Sequence, residues 1–347
     1  MTNPETTASS QLTPLLGMTL DQLKEVAADC RLKPFAAKQI ASWLYAKRVN
    51  SIDEMTDISL AGRRMLAERY TVGRERPLKS VRSADGTVKY LFRGAGGRDV
   101  ESVYIPDRER ATLCVSSQAG CKMGCKFCMT GRGGWQGNLT AHQIINQVMS
   151  VEGSESLTNL VFMGMGEPLD NLDEVLRAIE VLTADWGFGW SPKRITVSTI
   201  GRTDMLMRLL DATNVHVAVS VHSPYAQERA GLMPVEKAYP LASVLALLRQ
   251  RDWSHQRRLS VEYIMWRGLN DDLRHADALA RLLHGMHCRV NLIRFHAFPE
   301  SELESATDEQ MVRFRDRLNE KGVTATIRAS RGEDILAACG MLEGRKG

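Results

Sequence analysis

From about residue 138 to residue 327 the chain alternates short apolar, often β-branched runs with longer stretches whose apolar residues recur at helical spacing. This switching of period constrains the fold more than any other feature. Strands are expected at residues 160–163, 194–199, 215–221, 259–264, 289–295 and 324–327. Helices are expected from Thr140 and at residues 172–182, 203–210, 241–248, 272–283 and 308–318. Repeated strand–helix units build a parallel sheet, and six or so of them predict an α/β fold with a full or partial (β/α)6 barrel. Working residues then belong on the loops that follow the strands.

Upstream the pattern differs. Residues 88–92, 100–105 and 112–116 read as strands between Gly, Asp and Pro signals. Residues 1–13 are polar and rich in Thr and Ser, which suggests a tail. Thr19 with Gln22 resembles a capping box opening a helix through Cys30. Pro34 is placed to start a second helix and Ser59 to cap a third over 60–70, giving a small helical module that ends near Val72. Between residues 31 and 82 twelve bases face five acids, although the whole chain carries only +4. A basic module on a neutral body fits an RNA-docking appendage, and solvated helix faces would look the same. The expected organisation is a tail at 1–13, a basic helical accessory domain at 14–82 and a β-rich extension at 83–110. A barrel at 111–330 and a C-terminal segment at 331–347 complete it.

With 44% hydrophobic and 25% charged residues, the composition excludes disordered and collagen-like classes. No run approaches the roughly 18 apolar residues of a membrane span, and no secretion signal opens the chain, so a cytoplasmic protein is expected. Seven cysteines are an odd number, and three of them, Cys121, Cys125 and Cys128, crowd into one C-x3-C-x2-C array after the 112–116 strand. In a reducing compartment such a cluster reads as metal-binding or catalytic rather than as a disulfide framework. Three thiolates on one loop suit a [4Fe–4S] cluster with one iron left open to substrate. The competing reading is a closed zinc site with Cys114 or a histidine as fourth ligand, although zinc spacing usually brings a second cysteine pair. That reading would make the chain a noncatalytic RNA-binding factor. A plain iron–sulfur electron carrier is a third.

The array resembles that of the radical S-adenosylmethionine (SAM) superfamily, and its surroundings narrow the resemblance. Glu101-Ser102-Val103-Tyr104-Ile105-Pro106, Thr112 through Gln118, Gly164-Met165-Gly166-Glu167-Pro168 and Ser220-Val221-His222 look like the RlmN/Cfr family of radical SAM RNA methyltransferases. The C-terminal run Arg331 through Gly340 does too, and the resemblance extends from about Leu15 to Leu342. It implies a radical SAM partial barrel with an N-terminal accessory domain, a [4Fe–4S] cluster on Cys121, Cys125 and Cys128, and two SAM molecules per turnover. It also implies a substrate adenosine in 23S rRNA and tRNA, an electron donor such as flavodoxin or ferredoxin, and a monomer.

The resemblance assigns chemistry as well. Adenine C2 is too electron-poor to attack a methyl sulfonium, so the family first methylates a cysteine by displacement and then delivers the carbon by a radical route. Cys339 matches the methylated cysteine, Cys114 the thiol that resolves the RNA adduct through a transient disulfide, and Glu101 the proton acceptor. SAM contacts are implied at Gly166, Glu167, Ser198, Ser220, Val221 and His222. His296 stands where the family commonly has Asn, and imidazole reproduces only half of a carboxamide's hydrogen bonding. It is therefore expected as an altered SAM contact. Methylation at adenine C8, as in Cfr, is the nearest alternative to C2.

Overall fold

The structure, a computed structural model, describes residues 12–253, 257–298 and 301–344. Most of the expected tail, residues 1–11, and the last three residues of the C-terminal segment lie outside the described residues. The chain enters at strand β1 (Thr13–Pro14), followed by helices α1 (Leu20–Asp29), α2 (Ala36–Ala41) and α3 (Leu60–Ala67) and strand β2 (Tyr70–Thr71). Thr19 and Gln22 form the reciprocal capping box, each side chain accepting from the other's backbone amide at 3.4 and 3.0 Å. Beyond Ala41 the second helix continues as one π-helical turn, Ser42–Ala46. The third helix stops short of Tyr70 because β2 pairs in parallel with β1 and closes the module. Two-residue strands carry no period, so the sequence could not announce this clasp.

An antiparallel meander comes next: β3 (Lys79–Arg82), β4 (Val88–Phe92), β5 (Val100–Asp107) and β6 (Arg110–Cys114). β3 is exposed at every position, which hides it from pattern reading. The short ribbon β7 (Gln118–Gly120) and β8 (Trp135–Asn138) brackets helix α4 (Met129–Arg132). Then the predicted alternation runs its course: α5 (Ala141–Met149), β9 (Asn159–Phe162), α6 (Leu172–Thr183), β10 (Ile195–Thr199), α7 (Thr203–Ala212) and β11 (His216–Ser220). It continues through α8 (Ala226–Leu232), α9 (Leu241–Arg249), β12 (Leu259–Met265), α10 (Leu273–Leu282), β13 (Cys288–Arg294), α11 (Asp308–Glu320) and β14 (Ala325–Ile327).

The meander and the alternating strands join one ten-stranded sheet ordered β14-β13-β12-β11-β10-β9-β6-β5-β4-β3. Every pair from β14 to β6 is parallel and every pair from β6 to β3 antiparallel. The parallel part is the expected partial barrel, and among the described residues no strand pairing joins its two edges. Its central strands are buried or half-buried on both faces, as helix-covered parallel strands must be. One apolar core runs from the N-terminal module through the barrel, and a second, smaller one gathers at the strand ends around Phe127, Met233 and Trp266.

Candidate active site

The cluster loop is seated by its own sequence. Phe127, between two of the cysteines, drives its ring against His222 (centroids 4.9 Å apart) and Trp266 (5.2 Å) at the ends of β11 and β12. Burying that ring fixes the loop over the mouth of the barrel. Cys121, Cys125 and Cys128 then line one cavity together with Gly164, Gly166, Glu167, Ser198, Ser220, His222 and Cys339. Val221 and His296 are the exceptions among the expected SAM contacts: the Val221 side chain is core and its carbonyl accepts from Arg229, while His296 lines a neighbouring cavity instead.

Burial pushes the Cys121 thiol up to about 12 and raises Cys125 and Cys128 as well; the charge of Cys128 adds to the rise of the first two, and that of Cys339 to the rise of Cys128. Such thiols give up their protons to a metal rather than to water. Among the described residues no three His, Cys, Asp or Glu side chains gather tightly enough to share a single metal ion. A cube that gives each thiolate its own iron needs no such convergence, so the donor set fits a [4Fe–4S] cluster better than zinc.

Opposite the cysteines, the turn after β9 approaches by its backbone. Gly166 sits at φ +99°, and a Cβ there would fall 2.5 Å from the Cβ of Gln118, so only glycine allows this approach. Glu167 is buried, and both its oxygens are taken. Leu169 N and Thr199 Oγ1 donate to Oε1 at 3.1 and 2.6 Å, and Ile200 N donates to Oε2 at 3.0 Å. Burial lifts its carboxyl to about 7 against the pull of these donors. Glu167 thus fastens β10 to the glycine turn as well as lining the cavity. His222 is fixed more tightly still. The Ile264 amide donates to Nδ1 at 3.0 Å, which leaves Nε2 as the nitrogen carrying the proton. Burial and the Arg229 charge push its pKa down to about 3, so the ring is neutral.

Cys339 reaches this cavity because the C-terminal segment is tied to both sides of it. Met129 N, in the cluster helix α4, donates to Gly340 O at 2.8 Å, and Thr130 Oγ1 to Leu342 O. From the other side Glu101 Oε2 accepts the amides of Glu343 and Gly344 at 2.9 and 3.2 Å, while Lys89 Nζ lies 3.0 Å from Oε1. Glu101 therefore faces a neighbouring cleft, with Lys89, rather than the cysteine cavity. Cys114 lies buried close enough to feel Cys339: burial and that thiol's charge lift it to about 12, and the Arg328 cation opposes them. Both thiols are free.

Behind Cys339 a second cavity opens, lined by Arg110, Arg294, His296, Arg328 and Arg331 and by one acid, Asp107, which pairs with Arg331; it shares Cys339 with the first. His296 belongs to this cavity, where Ser330 Oγ meets its Nε2 at 3.1 Å. Sequence reading missed Arg328 and Glu262. A lone acid within the apolar run Leu259 to Met265 was the available signal, since a charge in a parallel strand needs a reason.

Comparison with known proteins decides the family. Residues 115–280 match the model of the radical SAM superfamily, and residues 13–72 match the ribosomal RNA large subunit methyltransferase N-terminal domain. A probable dual-specificity RNA methyltransferase RlmN from Parabacteroides distasonis is 58% identical, over 96% of this chain and 97% of its own. The chain belongs to the RlmN family of radical SAM methyltransferases. A dual-specificity RNA methyltransferase RlmN from Halorhodospira halophila is 44% identical over 95% of this chain and 93% of its own. A radical SAM methyltransferase from Sphaerobacter thermophilus superposes with a TM-score of 0.89 at 37% identity, covering 95% of this chain and 99% of the other. As a member of the RlmN family the chain is a SAM-dependent methyltransferase with a [4Fe–4S] cluster, and the zinc-stapled factor and the Cfr-type alternative are not favoured.

Proposed function

We propose that this RlmN-family protein methylates C2 of an adenosine in 23S rRNA and of an adenosine in tRNA anticodon loops, in the cytoplasm and as a monomer, with electrons from a flavodoxin or ferredoxin. Cys121, Cys125 and Cys128 would hold the cluster; Gly166, Glu167, Ser198, Ser220 and His222 would hold SAM. Bound there, the pair supplies a methyl group and one-electron cleavage of a carbon–sulfur bond. The chain's own residues do the rest. Cys339 accepts the methyl group on sulfur and carries it to the base. Cys114 attacks that sulfur to free the product, leaving a Cys114–Cys339 disulfide that an external thiol reductant must reopen. Glu101 would take the proton lost from C2 after releasing the amides of Glu343 and Gly344 that hold it in the neighbouring cleft. His296, set behind Cys339, orders Ser330 and the wall of the second cavity.

One observation supports this reading most directly: Cys339 lines both the cysteine cavity and the basic cavity beside it, where a polyanion's base would enter. A carrier of carbon between a cofactor and an RNA must touch both. The test is anaerobic reaction with SAM, reductant and RNA, followed by digestion and mass spectrometry. The expected product is 2-methyladenosine; 8-methyladenosine, or unmodified RNA, overturns the reading. Cys339→Ala is expected to keep the cluster's absorbance and some deoxyadenosine formation while losing RNA methylation by more than about a hundredfold. Cys114→Ala is expected to accumulate protein crosslinked to RNA on denaturing gels, and free methylated RNA at wild-type turnover would remove its resolving role.

A further inference from the structure

Glu262 is a buried carboxylate for which the steps above have no use. It lies midway along β12, 4% exposed, between Ser220 on β11 and Asn291 on β13 in the register of the sheet. Asn291 Nδ2 donates to Oε1 at 2.8 Å. Ser260, two residues earlier on the same strand, also acts on the carboxylate, but among the described residues Oε2 itself makes no hydrogen bond. A buried carboxylate oxygen without a donor is costly to keep out of water unless something arrives to satisfy it. It lines the same cavity as Cys339. The other carboxylate there, Glu167, already carries protein donors on both oxygens and is the one assigned to SAM above.

Position narrows what the free oxygen takes. The charge of Arg328 acts on Cys339, Glu262 and Cys114 together, and Arg328 and Cys339 both line the second cavity. Glu262 thus belongs to the Cys339 side, while Glu167 is the carboxylate whose charge reaches the cluster cysteines. What must meet Cys339 is the target base. On the Watson–Crick edge of adenine, C2, N1 and the exocyclic amine on C6 follow one another, and the amine is the sole donor. A base with C2 at the Cys339 sulfur offers its amine further along the same edge.

Resting on the adenine-methylating reading above, we propose that Glu262 Oε2 accepts the exocyclic amine of the target adenine and so selects adenine against a 6-oxo purine. Asn291 holds the carboxylate in place for that bond, and the Arg328 cation favours its charged form. A base with oxygen on C6 sets lone pair against lone pair and is rejected as well as unrewarded.

The experiment uses the full holoenzyme and RNA whose target adenosine is replaced by purine riboside, which lacks the amine, or by inosine, which keeps the C2 hydrogen but carries an oxygen on C6. RNA methylation is read as a ratio to methylation of Cys339 in the same sample. For the wild type, purine RNA is expected to fall about tenfold to a hundredfold below adenosine RNA, and inosine RNA further. Glu262→Gln, whose amide can turn its NH2 toward an oxo group, is expected to narrow the adenosine-to-inosine preference by about tenfold or more. Removing the amine should then cost the variant little more. Equal wild-type rates on adenosine and purine RNA, or the same amine penalty in both enzymes, would overturn the proposal. So would a variant whose defect is cured by raising SAM alone, since Oε2 would then serve the cofactor. If the wild type leaves adenosine RNA unmethylated, the adenine reading itself fails and takes this proposal with it.

Discussion

His222 shows how much one backbone position can decide. Its φ of 59° is uncommon for a residue with a side chain, and Asn270 Nδ2 holds its carbonyl there at 2.7 Å. The cost of that conformation is offset by a ring that is neutral, in one tautomer, and packed on Phe127 and Trp266. The pH consequence has a definite sign. The folded pKa of about 3 lies below the ordinary 6.5, so the contribution to stability is complete above 6.5 and is lost as pH falls toward 3. Lowering the pH from 6.5 is expected to remove up to about 1.4 kcal/mol per unit through this group. Denaturation midpoints measured near neutral pH and again at about pH 5 check it: His222→Gln should flatten the slope, and an unchanged slope would assign the pH dependence elsewhere. The Ser220-Val221-His222 motif pointed to this residue, whereas its tautomer depends on the amide of Ile264, 42 residues away in the chain.

At the scale of elements, the strand ends around the cavity are knit by Arg229 on α8. Its fully buried guanidinium donates to the carbonyls of Val221, Ile200 and Ser220 at 3.2, 3.2 and 3.0 Å, and pairs with Glu236. Glu236 in turn accepts from Leu241 N at the start of α9. Removing the cation strands a buried carboxylate and three carbonyls, so Arg229→Met is expected to cost about 3–5 kcal/mol. Arg229→Lys should recover only part, because an ammonium cannot reproduce the planar fork. Thermal melts of the two variants test this; a melting temperature unchanged in Arg229→Met would mean that the network contributes nothing. The meander has a similar supporting task. Asp85 Oδ2 and Asp334 Oδ1 hold the β3–β4 turn and the C-terminal segment together, accepting from Gly332 N at 2.9 Å and Ser83 Oγ at 2.5 Å. The stretch that reads in sequence as a β-rich extension thus helps to dock the segment that presents Cys339.

Across the whole molecule, the basic N-terminal module packs on the same core as the barrel, so its charge is held in a fixed place relative to the cavity. Lys33, Lys38 and Arg64 are exposed there. If the module grips RNA phosphates, replacing all three by Gln should weaken RNA binding. It should also reduce the slope of log affinity against log salt by roughly 0.7–0.9 for each phosphate that is no longer neutralised. Fluorescence anisotropy of labelled RNA at several salt concentrations measures both, and an unaltered slope would return these charges to mere solvation. Among the described residues no helix is long and apolar enough to cross a membrane.

The sequence by itself determined the βα alternation, the capped helices of the N-terminal module, the cysteine triplet and the glycine turn. Each is written in residues that are neighbours along the chain, where period, cap chemistry and spacing act directly. Tertiary structure alone decided what Glu101, Glu262, His296 and Arg328 face. Glu101 meets the amides of residues 343 and 344, and Arg328 shares the basic cavity with a cysteine eleven residues further on. Whether a polar group is spent on the protein or left for a ligand depends on partners brought from distant strands. No local pattern encodes that.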